Sequence, residues 1–339
     1  MPRKSTRTVS PHLHPLVQDS AILPTRAIEA FVNVIASWLE NLLPGGIVHG
    51  SSRAGKTRAI RYLKANVAEL LGSAIPTFLF SVWRNEGQHV TENRFYREVL
   101  RVLEYQYPSY GTGADKRNTA ISRLRDCARE HGEHRVLLFI DEAQWLTLPM
   151  YHLLMDLHNQ LVLLDVRLVV VLVGTPELLT QRDKLRREGQ AHIIGRFMTA
   201  SHHFEGVRSS ATITDLARTM DTSSEFPANS GTSFTQFFVP KAFAAGWRLQ
   251  DNAELLWETL VQLCGDRGLP RIDGKRDLSM QAVMAFMRGL MRELRELDDP
   301  SLELEPDWVA AVIERTAFDQ IQNRLLEVQA PGKRNEQAA

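Results

Sequence analysis

The sequence has no excess of charge of either sign and almost no cysteine. Its 339 residues include 40 lysines and arginines against 40 aspartates and glutamates, so the formal net charge at pH 7 is zero. Without a global basic field, any nucleic-acid site must be a local patch. The two cysteines, Cys127 and Cys264, lie far apart without the spacing of a metal site. We expect both to be buried small apolar residues in a reducing compartment.

Long hydrophobic runs are also missing. The most apolar stretch, residues 161–173, is interrupted by Asp165 and Arg167 and is too short to span a bilayer. The chain starts with basic and polar residues and shows no apolar core of a signal peptide. We therefore expect a cytoplasmic protein that does not enter a membrane. With 44% apolar and 24% charged residues the chain is globular, and its length allows one large or two ordinary domains.

A complete phosphate-binding loop of the pattern G-x-x-x-x-G-K-[ST] is present. An apolar run over 46–49 precedes it, and apolar residues at helical spacing follow it. Glycines let backbone N–H groups surround phosphate oxygens, and the next helix points its positive end at the same anion. We predict that Lys56 reaches the β and γ phosphates of ATP and that the Thr57 hydroxyl ligates Mg²⁺. The predicted nucleotide-binding residues are Gly50, Ser51, Ser52, Arg53, Ala54, Gly55, Lys56, Thr57 and Arg58.

A second motif supports the first. The apolar run 136–140 reads as a buried parallel strand and delivers Asp141 and Glu142 to its C-terminal end, where ligands bind in open α/β sheets. Asp141 would support Mg²⁺ from beyond its direct ligands, and Glu142 would activate the water that attacks the γ-phosphate. Taken alone, the loop could be an ordinary glycine-rich turn. The acidic pair alone could be an ordinary transition from a strand to a loop. Together the two motifs predict nucleotide binding. They do not decide whether the nucleotide is hydrolysed, because some P-loop proteins act only as nucleotide-dependent switches.

Strands and helices alternate over residues 21–207. This alternation predicts an α/β fold with a parallel sheet that is covered by helices on both faces. The interval from Lys56 to Asp141 leaves room for an extra strand between the motif strands, as in the additional-strand P-loop ATPases. Five strands are predicted, at 46–49, 75–82, 136–140, 168–173 and 202–207, with helices at 26–43, 92–106, 115–131, 148–163 and 176–187.

The flanking sequence predicts further domains. Residues 1–20 read as a loosely ordered N-terminal arm, and residues 208–250 read as a linker or insertion with one strand at 234–240. Helical patterns at 252–266, 278–297 and 306–327 predict a small C-terminal helical lid domain over 251–328. Residues 329–339 are polar and read as a flexible tail.

Two more residues have positions that are typical of residues that contact the nucleotide. Thr175 follows the fourth predicted strand and can sense the γ-phosphate, although Gly-Thr-Pro also fits a plain turn. Arg196 precedes the fifth strand and can serve as an arginine finger for a neighbouring subunit. A solvated surface role is the alternative for Arg196, and Arg182, Arg186 and Arg187 compete for the finger role. For a second sensor in the lid, Arg271, Arg276 and Arg288 are available without a clear signature.

In this order, Gly50–Thr57, Phe139–Glu142, Gly174–Leu178 and Gly195–Phe197 resemble the motifs of an AAA+ ATPase. The Asp-Glu-Ala-Gln and Gly-Thr-Pro-Glu-Leu variants resemble the transposition regulators TnsC, TniB and Mu B. Residues 234–247 and 280–290 look most like the TnsC of CRISPR-associated transposons. The resemblance covers roughly residues 20–327, and its AAA+ part is the specific one. Gln144 is not diagnostic of the family.

The resemblance implies a function. Such proteins bind ATP with Mg²⁺, assemble as homo-oligomeric rings or filaments on double-stranded DNA, and link a target selector such as TniQ to transposase subunits. ATP hydrolysis then disassembles the complex. Lys56, Glu142, Thr175 and Arg196 match the catalytic positions, and Thr57 and Asp141 match the metal positions. The elements after strand two face the DNA, which makes Arg84, Arg94, Lys116 and Arg117 candidate contacts. A solvated helix face is the alternative for each of these.

Other functions remain possible on the sequence alone. A helicase also carries Asp-Glu-Ala-Gln, but it needs a second motor domain, and the C-terminal residues lack the required alternation of strands and helices. An AAA+ ATPase of the ExeA or STAND type is a second alternative. An ATP-gated scaffold, in which hydrolysis is incidental, is a third.

Overall fold

The structure is a computed structural model that describes residues 10–84, 90–266, 278–316, 318 and 320–322. The chain divides into two compact units. One spans Ile28–Glu205, and the other combines the residues up to Ala27 with those from Gly206 on. We call them the sheet unit and the helical unit after their secondary structure.

The sheet unit is built on five parallel strands. They are β1 Gly45–His49, β2 Thr77–Ser81, β3 Arg135–Asp141, β4 Arg167–Gly174 and β5 Ala200–His203. Their order across the sheet is β2-β3-β4-β1-β5. Because β4 lies between β1 and β3, the two motif strands are separated by one additional strand, and the predicted fold class is confirmed.

The register of the strands brings the motif residues to one edge. His49 pairs with Gly174 on one side and with His203 on the other, while Ser81 pairs with Asp141. Since all the strands are parallel, the segments that follow β1, β3 and β4 leave the sheet at the same edge. We call it the C-terminal edge of the sheet.

Helices pack against this sheet through apolar residues at helical spacing. Helix α1 buries Phe31 and Ile35, and β3 and β4 are buried over nearly their whole length, as strands covered on both faces must be. Thr112 and Asp115 form a capping box at the start of α5. The helices are α1 Arg26–Glu40, α2 Lys56–Ala65, α3 Val67–Leu71, α4 Glu92–Val102, α5 Gly113–Glu130, α6 Leu148–Val162, α7 Glu177–Arg187 and α8 Ala191–Phe197.

The helical unit has its own apolar core. Helix α13 supplies eight buried residues between Ala282 and Leu294, and α9, α12 and α14 add further ones. A 3₁₀ turn at Leu249–Asn252 leads into α12, and another lies at Pro11–Leu13. The helices are α9 Ser210–Thr222, α10 Phe234–Phe238, α11 Pro240–Ala244, α12 Ala253–Asp266, α13 Met280–Glu296 and α14 Pro306–Arg315.

The strand predicted at 234–240 is wrong, because Phe234–Phe238 is helical. The Ser233 hydroxyl accepts a hydrogen bond of 3.1 Å from the Gln236 N–H and so caps α10. Phe234 and Phe238, four positions apart, both enter the core. Aromatic residues favour a strand by propensity, but the serine cap and this spacing decide for a helix. Residues expected as a linker thus contribute three short or medium helices to a core.

Part of the expected N-terminal arm is packed. His14 and Leu16 are buried in the helical unit, which differs from the loose order expected for residues 10–20. Residues 1–9 and the predicted tail 329–339 lie outside the described residues. Of the two cysteines, Cys264 is buried as expected, while Cys127 is only partly buried.

The other predicted elements agree in type with the structure, and most of their ends differ by a few residues. The helix predicted at 306–327 is the exception, because α14 ends at Arg315 and residues 323–327 lie outside the described residues. Strand β5 begins at Ala200, two residues before its predicted start, and α3, α8, α9 and α11 were not predicted. Within the described part of the chain, no helix is both long enough and apolar enough to cross a bilayer.

Candidate nucleotide-binding site

The phosphate-binding loop connects β1 to α2 at the C-terminal edge of the sheet. Arg53 and Gly55 have positive φ angles, 61° and 111°, so two loop residues leave the right-handed region before α2 begins at Lys56. The first turn of a helix has N–H groups without intrahelical partners, and here they open onto the loop. Arg58 is half-buried in that turn, Ser51 and Ser52 are half-buried in the loop, and Ala54 is buried.

Gly50 stands where no other residue fits. A Cβ at this position would lie 2.2 Å from the carbonyl oxygen of Phe204, which follows β5. The Gly50 N–H also donates to the carbonyl of Gly174 at the end of β4, at 3.2 Å. The first glycine of the motif is therefore needed for packing between two strand ends.

The ammonium of Lys56 lies over the loop. Its Nζ donates to the carbonyl oxygens of Gly50 at 2.8 Å and Ser51 at 2.7 Å, and the side chain is 8% exposed. A buried ammonium needs several acceptors to offset its loss of water. The loop thus holds a positive charge at the place where phosphate oxygens would enter.

The loop and β3 are joined directly. Thr57 Oγ1 donates to Asp141 Oδ2 at 2.6 Å, and Asp141 itself is 5% exposed. The other oxygen, Oδ1, accepts from the Glu142 N–H at 3.0 Å. A hydroxyl and a carboxylate in contact are hard oxygen donors of the kind that Mg²⁺ prefers. The two residues predicted for the metal are therefore brought together.

Among the described residues no cluster of three or more His, Cys, Asp or Glu side chains is arranged to hold a metal ion. Mg²⁺ commonly needs only one or two protein ligands, since phosphate oxygens and water complete its octahedron. The Thr57–Asp141 pair fits that requirement.

Glu142 extends from a strained turn. Its φ is 56°, its side chain is exposed, and its Oε2 accepts a hydrogen bond of 2.6 Å from Gln144 Nε2. The Oε1 of Gln144 in turn accepts from the Thr175 N–H at 3.2 Å. A single amide side chain thus connects the proposed base to the proposed sensor.

Thr175 lies where the sequence places it, directly after β4. Its Oγ1 is buried, and within the described part of the chain that oxygen has no hydrogen-bond partner. A buried hydroxyl of this kind is an uncommon feature, and it suits a group that meets a ligand.

A histidine pair lies behind the loop. The rings of His49, at the end of β1, and His203, at the end of β5, stack with centroids 5.2 Å apart. Burial, followed by the nearby His203, His202, Arg182 and Lys56, lowers the pKa of His49. A neutral His49 does not add to the positive charge already concentrated at the loop.

Arg196 lies at the opposite edge of the sheet. A Cβ on Gly45, the first residue of β1, would lie 2.8 Å from the Arg196 carbonyl oxygen, whereas the phosphate-binding loop follows the last residue of β1. The Arg196 guanidinium bonds Asn159 of α6 and helps burial to lower the pKa of His158. Arg196 is therefore not part of the constellation around its own loop. Of the competing arginines, Arg182 is the one whose charge acts on His49.

Of the three candidates for a second sensor, Arg288 lies within the described residues. Arg271 and Arg276 lie outside the described residues. Arg288 donates to the Leu16 carbonyl at 2.9 Å and bonds Asp19, both within the helical unit.

The four candidate DNA contacts differ in their surroundings. Arg84 lies over the ring of Trp145 at 5.0 Å, and Arg94 lies over the ring of Trp83 at 4.7 Å. Arg117 is 3.7 Å from Glu92 and 3.6 Å from Asp156. Lys116 is 2% exposed and donates to the Gly111 carbonyl at 2.5 Å. The structure does not support Lys116 as a phosphate contact, because its ammonium is enclosed and already bonded.

Comparisons with known proteins agree with this geometry. A profile of the AAA domain family matches residues 44–181, which include the loop, Asp141, Glu142 and Thr175. No curated protein matches the chain.

Solved structures were also compared with this chain. The ORC2 protein of Aeropyrum pernix, in ADPNP–ADP complexes, is similar with a TM-score of 0.60 and 15% identity, over 94% of this chain and 75% of that one. Cdc6p from Pyrobaculum aerophilum has a TM-score of 0.43 and 16% identity, over 94% and 88%. AMPPCP-bound DnaA from Aquifex aeolicus has a TM-score of 0.35 and 15% identity, over 94% and 93%. The likeness to the first of these supports the AAA+ P-loop fold.

Proposed function

We propose that the protein is an ATPase that assembles on double-stranded DNA in its ATP-bound form and leaves it after hydrolysis. The observation that carries the proposal is the 2.6 Å bond between Thr57 and Asp141, which joins the phosphate-binding loop to the acidic end of β3. Nucleotide binding needs the first of these elements, and hydrolysis needs the second. Their contact supports the proposal that both act on the same phosphate.

Each residue has one task in this reaction. Lys56 and the N–H groups of the loop bind the β and γ phosphates, and Lys56 exchanges its loop carbonyls for phosphate oxygens. Glu142 accepts a proton from the attacking water as the new oxygen–phosphorus bond forms and the bond to the leaving ADP oxygen breaks. ATP and water give ADP and phosphate, and the proton passes from Glu142 to solvent. Thr175 contacts the γ-phosphate and loses that contact when phosphate departs.

Mg²⁺ would be held by Thr57, with Asp141 supporting its bound water. When bound, the ion neutralises negative charge on the β and γ phosphates. Asp141 prepares Thr57 for this role by fixing the direction of its hydroxyl.

Arg196 would act on the nucleotide of a neighbouring protomer. It lies at the edge of the sheet away from its own loop, and a guanidinium can stabilise charge across a subunit interface. A complete site would then require a ring or filament, which explains why assembly and hydrolysis belong to one function.

DNA contact is assigned to Arg84 and Arg94. Both follow β2, and β2 pairs with β3 so that Ser81 lies beside Asp141. The stacked tryptophans orient the guanidinium groups, and Trp145 is itself 38% exposed. The DNA contacts would therefore lie near the hydrolytic end of β3.

Within the AAA+ proteins, we assign the chain a role in transposition. The support is the resemblance of its motif variants, Asp141–Gln144 and Gly174–Leu178, to those of TnsC-like regulators. A target selector such as TniQ and transposase subunits would then be its partners. An ExeA-type or STAND ATPase is the competing assignment. Assembly that depends on DNA distinguishes a transposition regulator from these alternatives.

The test is negative-stain microscopy of the purified protein with a slowly hydrolysed ATP analogue and duplex DNA. We expect rings or filaments on DNA. Lys56→Ala should abolish them, whereas Glu142→Gln should retain them and prevent their loss after ATP is added. Monomers under all nucleotide conditions would reject DNA-dependent assembly.

A further inference from the structure

We propose that Gln144 is a positioning residue that holds the proposed base, Glu142, in register with the end of β4. The inference rests on the proposed ATPase function. It concerns a residue to which the sequence motif gives no role, and it is based on one continuous set of contacts.

The first contact fixes Glu142. Gln144 Nε2 donates to Oε2 of Glu142 at 2.6 Å, which leaves Oε1 of the same carboxylate available for the attacking water. Glu142 is exposed and follows a backbone with φ of 56°, so it has little packing to orient it. The amide of Gln144 supplies the orientation that packing does not.

The second contact fixes Gln144 itself. Its Oε1 accepts from the Thr175 N–H at 3.2 Å, so the amide is used at both ends. The flip state of an amide is usually ambiguous, but here it is determined: a carboxylate can only accept and a backbone N–H can only donate. Reversing the amide would place oxygen against oxygen and N–H against N–H.

The third feature is the space that Gly174 leaves free because it has no side chain. A Cβ on Gly174 would lie 2.2 Å from Gln144 Oε1 and 2.9 Å from Leu178 Cδ1. Gly174 has no positive φ that would itself require glycine. Its lack of a side chain therefore serves the placement of Gln144.

These contacts also link the proposed sensor to the proposed base. Thr175, the proposed sensor, carries the N–H that orients Gln144, and Gln144 orients Glu142. A displacement of the β4 end would therefore displace the base as well. The position of the base is thus coupled to the position of the sensor.

The experiment compares Gln144→Leu with wild type in steady-state ATP hydrolysis and in equilibrium binding of a fluorescent ATP analogue. We expect kcat to fall about tenfold to a hundredfold, because misplacement of a catalytic group by about 1 Å has effects of this size. The KM for ATP and the affinity for the analogue should remain at wild-type values. Gln106→Leu, the same change at an exposed position, is the matched control and should leave kcat unchanged.

Two further variants separate positioning from damage to the fold. Gly174→Ala moves Gln144 without altering its chemistry and should lower kcat by a similar factor, and the double variant Gly174→Ala/Gln144→Leu should be no worse than either alone. In a Glu142→Gln background, Gln144→Leu should cause no additional loss. A multiplicative loss in either double variant would overturn the proposal, as would wild-type kcat in Gln144→Leu. If wild type itself does not hydrolyse ATP, the proposed function fails, and that failure is distinct from a failure of this inference.

Discussion

At the level of single residues, the site depends on hydrogen bonds that place charge at one edge of the sheet. The Lys56 ammonium is held by loop carbonyls, and the Thr57 hydroxyl is held by Asp141. The Thr57 and Asp141 side chains are half-buried and buried, so their positions are fixed before a ligand arrives, whereas Lys56 exchanges its partners on binding. Such preorganisation avoids a cost of ordering during binding.

Arg196 gives a residue-scale prediction about the neighbouring protomer. Arg196→Ala should bind ATP normally and hydrolyse it about a thousandfold more slowly, the lower limit for loss of an arginine finger. Arg186→Ala, which removes an exposed arginine paired with Asp183, should keep wild-type turnover. Turnover is measured as phosphate release.

A mixture of variants tests whether Arg196 acts across subunits. Glu142→Gln retains assembly and the finger but lacks the base, whereas Arg196→Ala retains the pocket and lacks the finger. Mixing the two inactive proteins should restore part of the activity. No recovery would mean that Arg196 acts within its own chain, and wild-type turnover of Arg196→Ala alone would remove it from the mechanism.

The sequence identified most of the residues of the site but not how they are connected. A strict motif spacing with apolar strands on either side is enough to predict that Lys56, Thr57 and Asp141 converge, and the structure brings them together. The contacts of Gln144 could not be predicted, because its partner Thr175 is 31 positions away and its proximity depends on strand order. The prediction of Lys116 as a DNA contact failed for a related reason. The sequence around a lysine next to a glycine-rich turn does not show that the side chain is buried.

At the level of elements, strands were predicted more reliably than the short helices. The apolar runs of β3 and β4 are long enough to be unambiguous. Residues 208–250 lack a clear period because α10 and α11 have only five residues each. Such helices depend on caps and core contacts, as Ser233 illustrates, and these are tertiary features.

The N-terminal segment offers an element-scale prediction about pH. His14 is fully buried among the rings of Phe226, Phe234, Phe237 and Phe238, at centroid distances of 4.3 to 5.0 Å. Burial lowers its pKa to about 4. Below pH 6.5 the unfolded chain therefore binds a proton that the folded chain does not, and stability falls as the pH drops towards 4.

The free energy of unfolding in urea measures this effect. Between pH 7 and pH 5 His14 should contribute a loss of about 2 kcal/mol, which His14→Leu should not show. His12→Leu changes an exposed histidine of the same segment and should keep the wild-type dependence. Equal pH dependence in all three proteins would mean that His14 is not buried in the folded chain.

At the level of the whole molecule, the zero net charge confines DNA binding to a local surface. The cation–π pairs place two arginines on aromatic rings beyond β2, while other arginines of the same region are paired with acids, as Arg101 is with Glu98. In the proposed function these two arginines contact few phosphates of the DNA. The affinity for DNA should therefore depend moderately on salt.

Salt titrations of DNA affinity test this surface. Arg84→Ala and Arg94→Ala should each weaken binding to duplexes of any sequence, and each should reduce the slope of log K against log salt by about one. Arg101→Ala, on the same helix as Arg94, should leave the slope unchanged. An unchanged slope in both test variants would exclude them as phosphate contacts.

The proposed function requires that one edge of the sheet binds a triphosphate and that Glu142 cleaves it. The most direct measurement is hydrolysis and binding of ATP by Glu142→Gln alongside wild type. We predict unchanged affinity for ATP and a loss of at least about a hundredfold in kcat, because the variant keeps the shape of the side chain and removes its basicity. Wild-type turnover in Glu142→Gln would contradict the account.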